Sequence, residues 1–406
     1  MVEYFEKESL MNYRTDKYGN KLSVLGFGCM RFPKNPDETE KLFDEALAAG
    51  INYFDTAYMY SGNEAALGRL LEKKGAREKV NVATKIPPFM CRNRADFDRI
   101  FGKQLDRLKT DYIDYYLIHM LNGPEQWREL CEAGAKEWIA EKKERGQIRQ
   151  IGFSFHGEQG AFIKLIDAYD WEFCLIQYSY LDVNNQAGLK GLRHAASKGV
   201  PVFVMEPLRG GLLADKLPLE AEKIFKGVNP SASSASWALR WLWNHGEITL
   251  LLSGMKSAGQ IRENAATADY AAENAFTERE TDAVERVAAV FKASDRIPCT
   301  GCRYCMPCPA GVNIPECFSA YNDSRSFGKV SGIAQYIRNT GAMISKKGSA
   351  GSCVKCGKCS PRCPQGISVE AELKTVRKRM EPLWFRAGMP IVRRFTGGGR
   401  RKRGST

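Results

Sequence analysis

Eight cysteines in the last third of the chain have a spacing typical of metal ligands. One run comprises Cys299, Cys302, Cys305 and Cys308, the other comprises Cys353, Cys356, Cys359 and Cys363, and a proline follows each run. Zinc sites usually draw four ligands from two separated pairs rather than from two runs of four. Disulfides need an oxidising compartment, which nothing in the sequence indicates. The runs therefore favour two [4Fe–4S] clusters.

The second run resembles the ligand motif of bacterial ferredoxins, in which gaps of two, two and three residues precede a Cys-Pro pair. The first run is one residue shorter before Cys308. In that family the fourth cysteine of each run binds the other cluster. The resemblance implies that Cys363 completes the first cluster and that Cys308, the residue the shorter gap affects, completes the second. The other cysteines are interpreted as buried thiols: Cys29, Cys91, Cys131, Cys174 and Cys317.

A different chemistry is indicated by four polar residues: Asp55, Tyr60, Lys85 and His119. A free tyrosine, with a pKa of about 10, is a poor acid near neutrality. A neighbouring lysine cation favours the phenolate and lowers that pKa. Asp55 can hold Lys85 in place, and His119 can donate a hydrogen bond to a carbonyl oxygen. The set could therefore protonate an oxygen, whereas Asp55 and Lys85 alone could form a structural ion pair.

Eight strand–helix units must position these side chains. The predicted strands are 22–28, 51–55, 80–85, 113–119, 148–153, 173–178, 200–205 and 248–253, with amphipathic helical segments between them. Eight such units over about 250 residues predict a (β/α)8 TIM barrel, an α/β fold whose active site lies at the carboxyl ends of the strands. A doubly wound sheet is the alternative, but no strand is followed by a G-x-G-x-x-G turn.

The segments around the four polar residues resemble the aldo-keto reductase family. The stretch from Gly50 through Asp55 and Tyr60 to Glu64, with Ala83-Thr84-Lys85 and Leu117-Ile118-His119, carries four family positions in order. The resemblance covers about 11–290. It implies a nicotinamide cofactor across the barrel mouth, hydride transfer to a carbonyl, and Tyr60 as the proton donor. It also implies cofactor contacts from Ser154, Gln177, Met205, Pro207, Leu208, Gly210, Lys256, Gln260, Glu263 and Asn264.

Two departures from the family pattern lie on the fifth and sixth predicted strands. Many members have asparagine after the serine that corresponds to Ser154, whereas here a phenylalanine and then His156 follow. Many have a glutamine against the nicotinamide where Leu175 stands, and Gln177 comes two residues later. His156 could line the pocket or be a simple loop residue.

A third departure concerns the choice of cofactor. The usual basic pair that grips a 2′-phosphate is not plainly present after the eighth strand. Lys256 and Arg262 could substitute for that pair. NADP(H) is therefore the first expectation, and NAD(H) is the alternative.

Charge and composition indicate how the rest of the chain is divided into domains. The 406 residues carry a net charge of +13, and from Lys374 onward eleven Lys and Arg accompany one acid, Glu381. We expect an extension over 1–10, the barrel over 11–290, a ferredoxin-like iron–sulfur domain over 291–370, and a basic helix with a disordered tail over 371–406. No apolar stretch is long enough to span a membrane and no signal-peptide core is present, which predicts a cytoplasmic protein.

The leading hypothesis is an NAD(P)H-dependent aldo-keto reductase of EC 1.1.1 type. It reduces an aldehyde or ketone, and its iron–sulfur domain serves for capping, electron relay or redox sensing. The alternative is an electron-transfer or redox-sensing protein whose barrel binds nucleotide without carbonyl turnover. Expected partners are a small carbonyl substrate and a ferredoxin or flavodoxin. A nucleic acid is not expected, because tails rich in Arg and Lys are often merely solvated. The substrate, the reaction direction and the oligomeric state stay open.

Overall fold

The computed structural model describes residues 11–293, 296–326, 329–340 and 348–395. The chain divides into two compact units. The first runs up to Arg286, except for Gly210–Leu212 and Pro218–Ala221, which group with the second unit. The second continues from Val287.

A closed barrel of eight parallel strands forms the first unit, which confirms the predicted (β/α)8 fold. The first and last barrel strands close the ring through the pairing of Leu25 with Leu251. In chain order the barrel strands are β3 Leu25–Gly28, β4 Tyr53–Asp55, β5 Asn81–Ile86, β6 Ile113–Leu121, β7 Ile148–Phe155, β8 Phe173–Gln177, β9 Val202–Met205 and β10 Ile248–Ser253. Two further strands, β1 Tyr13–Thr15 and β2 Lys21–Ser23, form an antiparallel hairpin before the barrel.

The predicted strand 22–28 is two strands in the structure. Its first part is β2, which pairs with β1, and its second part is β3, which pairs with β4 and β10. The chain changes partner at Val24, and the backbone N–H of Ser23 donates to Asn52 Oδ1 at 2.8 Å. A continuous apolar run cannot reveal such a change, because both pieces are buried.

Helices surround the barrel: α1 Pro36–Ala48, α2 Asn63–Lys74, α3 Arg94–Leu108, α4 Pro124–Glu132, α5 Ala135–Glu144, α6 Gln159–Ile166, α7 Gly188–Ser197, α8 Leu219–Val228, α9 Ser234–Trp243, α10 Ala258–Ala268 and α11 Glu278–Ala293. The third helix illustrates how the sequence specifies them. The Asn93 side chain accepts a hydrogen bond from the backbone N–H of Asp96 and so caps its N-terminus. Its buried residues recur every three or four positions, as an amphipathic helix requires.

Large side chains fill the barrel interior. Every second residue of the strands points inward, and Tyr53, Tyr115, Phe173 and Phe203 form one buried cluster with neighbouring leucines. The Tyr115 and Phe173 rings meet edge to face at 5.1 Å between centroids. The interior is therefore a packed core, and the space for chemistry is left at the mouth.

Four helices build the second unit: α12 Ile314–Ser326, α13 Lys329–Asn339, α14 Val369–Met380 and α15 Leu383–Phe395. Their core includes Phe318, Tyr336 and Val376. The last helix lies in the stretch for which the sequence predicts a disordered tail, whereas the predicted extension 1–10 and residues 396–406 fall outside the described residues. Within the described ranges, none of the helices is both long and apolar enough to cross a bilayer.

Candidate active site and iron–sulfur sites

Three neighbouring strands carry polar side chains toward the same end of the barrel. Asp55 ends β4, Lys85 is the penultimate residue of β5, and His119 lies near the end of β6. These strands pair in parallel, with Asp55 beside Ala83 and Lys85 beside Leu117. All three polar side chains are buried. The strand register therefore brings them to one mouth, as the sequence predicts.

Lys85 is the central contact of this group. Its Nζ donates to Asp55 Oδ1 and, at 2.7 Å, to the backbone carbonyl of Thr56. The same Nζ lies 5.1 Å from the centroid of the Tyr60 ring. The Tyr60 and His119 rings meet edge to face with centroids 6.0 Å apart. The structure thus brings together all four residues that the sequence singles out.

Burial controls the protonation of this group. Desolvation raises the pKa of Asp55, and the adjacent Lys85 cation opposes that rise. The pKa of His119 is well below its ordinary value, first because the ring is buried and then because Lys85 and His156 repel a positive charge. His119 is therefore a neutral imidazole at pH 7, which carries one N–H donor.

A buried polar network behind β5 holds the lysine strand, and the sequence reasoning does not identify it. Glu64 accepts hydrogen bonds from Thr84 Oγ1 at 2.6 Å and from Gln104 Nε2 at 2.9 Å. Gln104 Nε2 also donates to the carbonyl of Lys85 at 3.1 Å, and its oxygen accepts from the Tyr116 hydroxyl at 2.7 Å. The sequence does contain one sign of this network, because Gln104 is a polar residue on the otherwise apolar face of α3.

A second network fixes the amide of Gln177 at the end of β8. Gln186 Nε2 donates to Gln177 Oε1 at 3.2 Å, and Gln177 Nε2 donates to Asp182 Oδ1 at 3.4 Å. Asp182 also accepts from the Ser179 hydroxyl at 2.6 Å. His156 Nδ1 lies 3.2 Å from Gln186 Oε1. Because an amide oxygen only accepts, Nδ1 of His156 carries the hydrogen. Sequence reasoning identifies Gln177 but neither Gln186 nor Asp182.

Leu175 and Gln177 occupy different environments. Leu175 belongs to the packed interior of the barrel, together with Leu117 and Phe203. Gln177 is the last residue of the same strand and is buried. The glutamine therefore lies at the mouth, although the family pattern would place it at 175.

Two further cofactor candidates tie adjacent elements together. Ser154 Oγ accepts a hydrogen bond from the backbone N–H of Met120 at 2.7 Å, which links β7 to the end of β6. Asn264 Nδ2 donates to Ser253 Oγ at 3.2 Å, which links α10 to β10. Both candidates are buried.

The loops after β9 and β10 contain the remaining candidates. Met205 ends β9, and Pro207, Leu208 and Gly210 follow it, with Gly210 at φ +68°. After β10, Gln260 Oε1 accepts from the backbone N–H of Lys256 at 2.8 Å. The side chains of Lys256 and Glu263 are exposed.

Arg262, which could substitute for a phosphate-binding residue, pairs with an acid instead. Its Nη1 lies 2.9 Å from Glu45 Oε1. Lys256 is therefore the more available of the two cations, and it precedes α10, whose N-terminus Ser257 caps.

Two cavities in the second unit separate the eight cysteines into the two predicted sets. The first is lined by Cys299, Cys302, Cys305 and Cys363, with Phe318, Ile367 and Val369 in its wall. The second is lined by Cys308, Cys353, Cys356 and Cys359, and Cys305 borders it as well. Among the described residues, no group of three or more His, Cys, Asp or Glu side chains lies close enough to hold a single metal ion. The donor chemistry and the grouping fit two clusters.

A buried network orders the turn that leads into Cys353. The Tyr336 hydroxyl donates to Glu381 Oε1 at 2.5 Å and accepts from the backbone N–H of Ala350 at 2.7 Å. The backbone N–H of Gly351 donates to the same carboxylate oxygen at 2.8 Å. The start of the second cysteine run is therefore held by α13 and by the residue that follows α14.

Comparison with known families agrees with both units. Residues 24–288 match the Aldo/keto reductase family, and residues 298–367 match the 4Fe-4S dicluster domain. The chain belongs to the aldo/keto reductase family, whose members are oxidoreductases. It also carries a 4Fe-4S dicluster domain after its barrel.

Individual relatives resemble the barrel. The "Uncharacterized oxidoreductase YqkF" of Bacillus subtilis is 26 % identical over 296 residues, which cover 65 % of this chain and 92 % of that protein. An "Aldo-keto reductase" of Mycobacterium sp. (strain KMS) is 36 % identical over 238 residues, 57 % of this chain and 79 % of that one. Among solved structures, aldo-keto reductase AKR11C1 from Bacillus halodurans (holo form) is 26 % identical, with a TM-score of 0.58, over 68 % of this chain and 96 % of its own.

Proposed function

We propose that the barrel reduces an aldehyde or ketone with NADPH, and that Tyr60 gives the proton. The observation that carries the proposal is the position of Lys85, which contacts Asp55 and lies 5.1 Å from the Tyr60 ring centroid. A phenol beside a fixed cation is a stronger acid than a free phenol. The proposal rests on family membership for its reaction class and on this geometry for its residue roles.

Each member of the group has a separate task. NADPH, when bound, supplies the hydride. The Tyr60 hydroxyl transfers its proton to the carbonyl oxygen, and the Lys85 cation stabilises the phenolate that remains. Neutral His119 donates its N–H to the same carbonyl oxygen and orients it. Asp55 keeps the lysine in position and offsets the cost of burying its charge.

The nicotinamide half of the cofactor is assigned to the strand ends. Gln177 presents an amide whose two ends are already held by Gln186 and Asp182. An amide held in this way loses little rotamer entropy when it binds the nicotinamide carboxamide. Ser154 and Asn264 are assigned to the same half of the cofactor, as are Met205, Pro207 and Leu208 at and after the end of β9. Gly210 follows them in sequence and is assigned to the cofactor as well.

The adenosine half is assigned to the start of α10. Lys256 is exposed directly before a helix N-terminus, where phosphate groups are favourable. Gln260 orders the Lys256 backbone, and Glu263 lies further along the helix. This arrangement supports NADPH over NADH, although Arg262 is paired with Glu45.

The dicluster domain is assigned a one-electron role, because each cluster exchanges single electrons whereas hydride carries two. We assign one cluster to Cys299, Cys302, Cys305 and Cys363, and the other to Cys308, Cys353, Cys356 and Cys359. A ferredoxin or flavodoxin is the proposed partner. Capping of the substrate pocket is the alternative role for the domain.

Isotope transfer tests the barrel proposal. The full-length protein, purified anaerobically with its clusters, is given NADPH deuterated at C4 of the nicotinamide and a set of aldehydes and ketones. We expect deuterium at the carbinol carbon of at least one product, and the label comes from one face of the nicotinamide only. A protein that binds NADPH but transfers no label to any carbonyl, and takes none from alcohols with NADP+, contradicts the proposal and supports the electron-transfer alternative.

A further inference from the structure

One of the two cluster cavities opens to solvent through one of its own ligand residues. Among the eight cysteines, all of which the structure describes, Cys356 alone is exposed. The whole segment 354–358 is exposed, and Val354 retains 66 % of its side-chain accessibility. Both Val354 and Cys356 line the second cavity. An electron would thus have its shortest path to solvent at this edge.

The two sequence segments that contain the cysteine runs carry charge of a single sign. Segments 297–313 and 350–368, which contain both cysteine runs, include no Asp or Glu but carry Arg303, Lys355, Lys358 and Arg362. Lys358 and Arg362 line the second cavity and are exposed.

One acid also lines this cavity, and it is engaged. Among the described residues the lining includes a single carboxylate, Glu370. It accepts a hydrogen bond from the Ser360 hydroxyl. Glu370 supports the cysteine loop and contributes one negative charge, whereas Lys355, Lys358 and Arg362 contribute three positive charges, so the rim is positive on balance.

We propose that the Val354–Arg362 rim is the docking face for a small acidic one-electron carrier protein. An apolar residue inside a charged rim has the layout of a transient protein interface. Opposite charge on the carrier would steer encounter and raise the association rate. The inference deepens the one-electron role proposed for the dicluster domain and is independent of carbonyl reduction.

The electron transfer balances with a flavodoxin as the carrier. A flavodoxin hydroquinone gives up one electron and becomes the semiquinone. The oxidised cluster held by the second cavity accepts that electron and is reduced by one unit. No bond forms or breaks in the protein. The alternative is that the cations only balance the negative charge of a thiolate-bound cluster.

Stopped-flow reduction of the anaerobic full-length protein separates these two roles. An acidic flavodoxin hydroquinone is the probe, and methyl viologen radical cation is a reductant of opposite charge. We expect the second-order rate constant with flavodoxin to fall about tenfold or more as salt rises from about 0.05 to 0.5 M, because salt screens attraction between unlike charges. The rate constant with methyl viologen should rise or stay constant.

A charge reversal at the rim localises the effect. The variant Lys358→Glu/Arg362→Glu should lose about tenfold in its rate constant with flavodoxin at low salt. The matched variant Lys358→Arg/Arg362→Lys keeps both charges and should react like the wild type. A flavodoxin rate that is independent of salt in the wild type overturns the proposal even if a variant loses its clusters. Equal losses with both reductants would also overturn it, since they indicate a changed cluster potential. Carbonyl reduction, followed separately, shows whether the barrel proposal stands.

Discussion

Lys85 Nζ lies 5.1 Å from the ring centroid of Tyr60 while it donates to the carboxylate of Asp55. The ammonium thus links a buried acid to the phenol that faces the mouth. Its third fixed contact, with the Thr56 carbonyl, leaves it little freedom to move. A structural ion pair would need only Asp55 and Lys85, whereas a catalytic role also needs the contact between Lys85 and Tyr60. Variants of Asp55 and Lys85 can distinguish these two roles.

Replacement of Lys85 should affect activity and stability through different causes. Lys85→Met removes the cation beside Tyr60, and we expect carbonyl reduction to fall about 10²- to 10⁴-fold. It also leaves Asp55 buried without its partner, which costs about 3–5 kcal/mol in the free energy of unfolding. Steady-state kinetics and denaturant titration measure the two effects.

The double variant Asp55→Asn/Lys85→Met is the control for this pair. Removal of both charges should restore most of the stability, because no uncompensated charge remains. Activity should stay low. Recovery of activity together with stability would show that the pair is structural only.

The amide network predicts a positioning role for Gln186. Gln186→Leu removes the donor that holds Gln177 Oε1, so we expect the Kd for NADPH to rise about 5- to 30-fold, equivalent to about 1–2 kcal/mol. In this proposal the Gln177 amide contacts the cofactor and takes no part in the proton transfer. We therefore expect kcat to change less than the Kd for NADPH. Gln126→Leu on α4 is the control, because it removes a glutamine side chain that accepts from the Asn122 backbone N–H, whereas Gln186→Leu removes the partner of both Gln177 and His156. This control variant should bind NADPH normally. An unchanged Kd in Gln186→Leu would rule out this role for the network.

Two histidines, the buried His119 and the partly buried His156, predict a loss of barrel stability in mild acid. Burial lowers the pKa of His156 to about 4, and it lowers that of His119 as well. The unfolded chain takes up protons below about pH 6.5 while the folded rings stay neutral, so stability is complete above that pH and declines toward pH 4. His156 alone contributes a loss of about 2 kcal/mol between pH 7 and 5.

Tryptophan fluorescence can follow this transition, because six of the seven tryptophans lie in the barrel. The midpoint of denaturant unfolding should fall between pH 7 and 5 in the wild type, and it should fall less in His156→Gln. Identical pH dependence in the two proteins would contradict the assignment of a neutral His156 in the folded protein.

The cavity lining predicts which cysteines share a cluster. Cys302→Ala and Cys363→Ala should lose the same cluster, and Cys356→Ala and Cys308→Ala should lose the other. Iron content should fall by about half in each variant, and electron paramagnetic resonance identifies the cluster that remains. Cys317→Ala changes a buried thiol that lines neither cavity and should keep both clusters. A Cys363→Ala spectrum like that of Cys356→Ala would reverse the assignment of the crossing ligands.

The sequence was sufficient for the barrel and for the four mouth residues, because alternating apolar runs and the carboxyl ends of parallel strands are local features. It was less informative at the strand ends. The fourth predicted strand stops at 119, whereas β6 continues to Leu121. Met120 takes a left-handed φ of 57°, and its N–H is satisfied by Ser154 on the next strand. A partner that lies 34 residues away leaves no local trace.

The supporting networks escaped sequence reasoning for the same reason. Gln104 is a polar residue on an apolar helix face, and its four hydrogen-bond partners come from α2, β5 and β6. Gln186 precedes α7, and its partners include Gln177 at the end of β8 and His156 after β7. The two cysteine sets were easier to predict from the sequence, since ligand spacing along the chain reflects the geometry of the clusters that the cysteines bind.

The central claim, that the barrel is a carbonyl reductase with Tyr60 as its acid, is tested most directly by two matched tyrosine variants. Tyr60→Phe and Tyr58→Phe each remove one hydroxyl from the loop after β4. Anaerobic single-turnover oxidation of bound NADPH by an accepted carbonyl substrate gives the rate, and fluorescence titration gives the NADPH affinity. We predict that Tyr60→Phe loses at least about 10²-fold in rate with unchanged affinity, and that Tyr58→Phe reacts like the wild type. Full activity in Tyr60→Phe would contradict the account.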